Sequence, residues 1–199
     1  MDAAASFVAR YSAADRATID FLWNGKHADQ FVDANQRVRW DVISHCINEP
    51  GSPSPLLLEH LFLADAAWTR EAWGAPQHFA ELASLLLERG GEAVIETFAR
   101  GFNISFDTFG ACHAMRLSRV LATRLAVVAR EKAAVATEQR SRTCLEATAE
   151  LLSKLQQGTA SVDWATIPPG TSVKAVRAVW PRWYHKLWGK VSAWARRAR

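Results

Sequence analysis

The side chains in this sequence that could do chemistry are few: a scatter of histidines, three cysteines and one closely spaced Arg–His pair. His45, His60, His78 and His113 fall on four different predicted helices, with Glu59, Asp65 and Asp107 nearby in sequence. Facing helices can bring such residues onto one ion, which would make a metal-dependent helical-bundle enzyme. No HxxxH or ExxH pair puts two ligands on one helix face, so the plainer expectation is four separate histidines, each satisfied by a carbonyl or water. Cys46, Cys112 and Cys144 are odd in number, widely spaced and without a CxxC, which fits buried thiols in a reducing cytosol rather than a disulfide framework or zinc knuckle. Cys112 and His113 are adjacent, and adjacent helical residues diverge by about 100°, too far for a nucleophile–base pair. Glu92 and Glu96 share a face at i, i+4 and read as a solvated pair. There is no nucleophile elbow, Walker loop or dinucleotide fingerprint, and Gly90-Gly91 reads as a helix break.

Arg39 and His45 form an Arg-x5-His spacing on one predicted helix. This resembles the Arg-x4–6-His pattern of HEPN-family ribonucleases, which are small and all-helical. In that family the arginine stabilises negative charge at a phosphodiester while the histidine moves a proton. The resemblance implies a ribonuclease using Arg39 and His45 as one alternative function.

The strongest signal lies at the C-terminus. Residues 172–199 hold eight of the 24 basic residues and none of the 20 acidic ones, leaving 16 basic against 20 acidic in residues 1–171. The chain is thus an acidic body, net −4, with a tail of +8. Trp180, Trp183, Trp188 and Trp194 alternate there with Arg182, Lys186, Lys190, Arg196 and Arg197. A helix built this way could bind an acidic protein, nucleic acid phosphates or an anionic membrane surface, or it could fold back onto its own body. These nine residues are the expected binding set. Arg116, Arg119, Arg124 and Arg130 make a second basic face, expected to be solvated.

Helices must position all of these groups. The periodicity predicts helices over 13–23, 28–47 (with Asn35 as a possible break), 56–73, 76–89, 92–109 (interrupted by Gly101), 111–132 and 138–157. The stretch 111–132 lacks Gly and Pro, and Leu117, Leu121, Leu125 and Val128 form a stripe on it, so the other helices are expected to gather there. Residues 49–55, with three prolines and a glycine, make the clearest loop. No period-2 run is long enough for a strand. Helix pairs recur every 36–40 residues or so, a spacing similar to that of HEAT-type repeats.

The expected fold is therefore all-α, antiparallel pairs stacked as an irregular bundle or a short HEAT-like α-solenoid. A helical domain over 1–158 would be followed by a linker at 159–171 and the basic helix at 172–199, packed on the domain or appended to it. At 199 residues such a chain buries enough surface to need no disulfide or metal. Asp2 and the lack of a sustained apolar core argue against a signal peptide, and no run of about 18 apolar residues is present for a membrane span. The expected function is non-catalytic protein–protein binding in the cytoplasm, of adaptor or toxin-neutralising (immunity) type, with no cofactor.

Overall fold

The computed structural model describes residues 3–157. The basic tail, with all nine of its expected binding residues, and the expected linker lie outside them. Among the described residues the protein is all-helical: α1 (Ala3–Arg10), α2 (Gln36–Asn48), α3 (Pro55–Ala72), α4 (Phe79–Gly90), α5 (Ile95–Phe102), α6 (Phe106–Cys112), α7 (Arg119–Val135) and α8 (Gln139–Gln157). The helices pack as a bundle around one apolar core. None is long and apolar enough to cross a membrane.

The centre of that core is α3, and the stretch 111–132 does not hold it. Ser54 caps α3 by accepting a hydrogen bond from the Leu57 N–H at 3.2 Å, and Pro55 takes the first helical position, where no N–H is needed. Leu57, Leu58, Leu61 and Phe62 are fully buried on it. Phe62 stacks on Phe79 of α4 at 5.1 Å and on Phe98 of α5 at 5.7 Å, and the series continues through Phe102 to Phe109. Each such buried ring or leucine contributes roughly 1.5–3 kcal/mol relative to exposure.

One expected helix is largely absent and a second is shortened. Residues 13–23 hold only a 3₁₀ turn, Ala13–Thr18, with Asp15 accepting from the Ser12 backbone and hydroxyl. The chain then doubles back, so that Asn24 N–H meets Val32 O and Ala34 N–H meets Leu22 O, both at 3.0 Å. Gly25 supplies the left-handed turn, and the Asn24 side chain bonds Lys26, Gln30 and Val32 across it. Phe21, Trp23 and Phe31 gain more by packing on one another than a helix would allow. The second helix starts only after Asn35, the expected break.

The remaining differences are local. Residues 92–109 form a 3₁₀ turn and two helices, since Ser105 caps a new start at Phe106. Gly101 does not interrupt α5: it lies within that helix, where a Cβ would overlap the Phe62 ring. Residues 113–118 leave the helix, and Ser118 caps α7 at the Leu121 N–H. The buried face of α7 is consequently Ala122, Leu125, Ala126, Ala129 and Ala133, small residues that let α8 pack closely. Before α3, α1 adds an unanticipated helix anchored by Val8.

Candidate functional site

Arg39 lies on the inward stripe of α2 with Val42, Ile43 and Cys46 at +3, +4 and +7. Its side chain has no exposure. Its guanidinium donates to Asp33 Oδ2 at 2.6 Å and to Asp65 Oδ1 at 2.7 Å. Asp65 belongs to the buried stripe of α3 and also accepts from Trp40 Nε1 at 3.2 Å and His78 Nε2 at 2.6 Å. Asp33 in turn accepts from the backbone N–H groups of Leu22 and Asn35. Trp68 packs against Trp40 and Phe31 over this set, its own Nε1 buried without a hydrogen bond. A charged group survives inside a protein only when paired and hydrogen-bonded in this way. Arg39 therefore ties the 21–35 segment to α2 and α3. It faces the core and has no path to a phosphodiester in solvent, and His45, two turns along, is not among its partners.

The histidines do not converge. His60 is bonded to Tyr11, His78 to Asp65 and His113 to the Phe109 carbonyl. Among the described residues no group of three or more His, Cys, Asp or Glu side chains is placed to hold a metal ion. All three cysteines are free thiols. Burial pushes Cys46 up to about 12, and it raises Cys112 and Cys144 as well, so each keeps its proton near neutral pH. Glu92 and Glu96 pair with Arg124 and Lys132 of α7.

A cleft of about 350 Å³ opens between α3 and α5, beside the 3₁₀ turn. Leu56, Glu59, His60 and Leu63 line one side at the i, i+3, i+4, i+7 spacing of a single helix face. Thr97, Arg100 and Ile104 line the other, and Arg16 stands at the rim. Thr97 Oγ1 donates to Glu59 Oε2 at 2.5 Å, and Arg16 Nε donates to both Asp20 oxygens at 3.0 and 3.1 Å. Tyr11 O–H lies 2.6 Å from His60 Nδ1. Burial first, then the Asp20 carboxylate, raises Tyr11 to about 12; burial first, then the Arg16 cation, lowers His60. Both groups are thus neutral near pH 7. Sequence reasoning noted Glu59 and His60 but missed Tyr11, Arg16, Thr97 and Arg100. The only sequence trace of the second wall is the one-face spacing of Thr97, Arg100 and Ile104.

A third feature is the outer face of α7. Val120, Val127 and Val135 are 81, 45 and 78% exposed. Val120 and Val127 stand on one line two turns apart, with exposed Arg119 and Arg124 on either side. Compared with family models, with curated proteins and with solved structures, the chain matches none of them.

Proposed function

We propose that this protein is a non-catalytic helical binding protein that recognises another protein through the outer face of α7. The observation that carries the reading is the trio of exposed valines. β-Branched residues lower helix propensity by a few tenths of a kcal/mol each, and Val120 and Val135 bury little in return while Val127 stays 45% exposed. Neither local nor core stability accounts for them, whereas an incoming helix would cover Val120 and Val127 together at a seven-residue spacing. Arg119 at the edge, beside an Arg124 that pairs with Glu92, favours a partner with an acidic residue next to an apolar stripe. An adaptor, or an immunity-type protein that neutralises a toxin by covering it, works in this way. The protonated thiols and the inward-facing Arg39 support a binding role over a catalytic one.

A photo-crosslinking amino acid at position 127 tests the reading in the source cells. A discrete protein adduct is expected, absent from the same probe at Asp41 on α2 and lost when Val120→Asp is added. No adduct at 127, or equal adducts at both positions, overturns it. With purified partner, the association rate should fall steeply with added salt, since the arginine rim steers encounter.

A further inference from the structure

We propose that the cleft between α3 and α5 binds an apolar α-amino acid as its zwitterion, with the ligand ammonium on Glu59 and its carboxylate on Arg100. This is independent of the protein-binding face on α7.

Two charges in the cleft have no ion-pair partner among the described residues, Glu59, half-buried, and Arg100, exposed. Glu59 is half-buried, yet among the described residues its one hydrogen-bond partner is the neutral hydroxyl of Thr97, and it forms no ion pair with any of them. A partly desolvated carboxylate is stabilised by a cation, and the Thr97 hydrogen bond is made to Oε2 of Glu59. Arg100, one turn beyond Thr97 on α5, lines the same cleft with no carboxylate partner among the described residues. Glu59 and Arg100 do not pair with each other. The other cation at the rim, Arg16, is already neutralised by Asp20.

The cleft therefore presents one negative and one positive group and no net excess of either. An anion alone would be attracted by Arg100 and repelled by Glu59; an amine alone would meet the reverse. A molecule carrying both charges on one α-carbon unit satisfies both groups at once, which is complementarity by sign. The rest of the lining fixes the ligand's body. Leu56 and Leu63 on one side and Ile104 on the other make the lining partly apolar, and Leu56 is 41% exposed, surface that an aliphatic or aromatic side chain would cover. A volume of about 350 Å³ lies at the small end of ligand sites, as befits one large amino acid. Thr97 orients the acceptor, and His60, hydrogen-bonded to Tyr11, lines the cleft without adding charge.

The test is an NMR titration of the ¹⁵N-labelled full chain with L-leucine and L-phenylalanine, beside 4-methylpentanoate (acid only) and 3-methylbutylamine (amine only). At least one amino acid is expected to shift the amides around Glu59 and Arg100, and to bind tenfold or more tightly than either single-charge probe. Glu59→Gln, which keeps an acceptor for Thr97, should reduce amino-acid affinity at least tenfold while leaving 4-methylpentanoate no weaker. Arg100→Gln should do the same for the amino acid while sparing 3-methylbutylamine. Equal binding of 4-methylpentanoate and the amino acids, or no localised shift from either amino acid up to about 10 mM, overturns the proposal.

Discussion

Two carboxylates on α3, six residues apart, are held in opposite ways. Asp65 lies in the core, and its oxygens accept from Arg39, Trp40 and His78. Glu59, on another face of the same helix, accepts from Thr97 alone and opens onto a cleft. The same contrast separates the arginines: Arg39 has two buried carboxylates, Arg100 none. Where every donor and acceptor has a partner inside the chain, charge holds the fold; where partners are missing beside a cavity, it is available to something else.

The largest effect should come from breaking the closed set. Arg39→Met leaves Asp33 and Asp65 buried without a cation, and urea unfolding should show a loss of about 3–5 kcal/mol. Adding Asp33→Leu and Asp65→Leu should recover part of that loss, because an apolar cluster of similar volume carries no uncompensated charge. Gly101→Ala sharpens the comparison from the packing side. A methyl there meets the Phe62 ring and pushes α5 from α3, so stability should fall by about 1–3 kcal/mol. The cleft amides should shift in the same variant.

Removing one donor from each carboxylate compares them directly. Trp40→Phe deletes the indole N–H on buried Asp65 and should cost about 1–3 kcal/mol. Thr97→Val deletes the hydroxyl on half-exposed Glu59, where water can replace it, and the loss should be well under 1 kcal/mol in the same unfolding experiment.

Acid adds a further distinction. His60 and His113 both have their pKa lowered from the ordinary 6.5, chiefly by burial. The unfolded chain then binds more protons than the native one below that value, so their contribution to stability is complete above pH 6.5 and is lost as pH falls through and beneath it. Midpoints measured from pH 7.5 to 5 should decline, and His113→Gln should flatten that slope.

Much of this was legible in sequence, though for uneven reasons. The loop at 49–55 and the helices at 55–72 and 139–157 follow from prolines, glycines and apolar period, which act locally. The break at 113–118 was missed because it contains neither Gly nor Pro, although Ser118 is a good cap. Gly101 looked like a helix interruption because sequence does not display how closely α5 approaches Phe62. The buried ion set was written in plain view: Arg39 stands in register with Val42, Ile43 and Cys46, and Asp65 with Leu58, Leu61 and Phe62. A charge on each of two apolar stripes signals a buried pair, yet Arg39 was matched with His45, its neighbour in sequence, in place of Asp65, its neighbour in space. Of the cleft only the one-face spacings on α3 and α5 could be read, since the cavity depends on how the two helices are set side by side.

Equilibrium unfolding of the Glu59→Gln/Arg100→Gln double variant in urea tests the distinction most directly. If these charges are held for a ligand and contribute nothing to the fold, the free energy of unfolding should stay within about 0.5 kcal/mol of the parent. A loss approaching that of Arg39→Met would show that the cleft charges also hold the fold together, and would contradict the account.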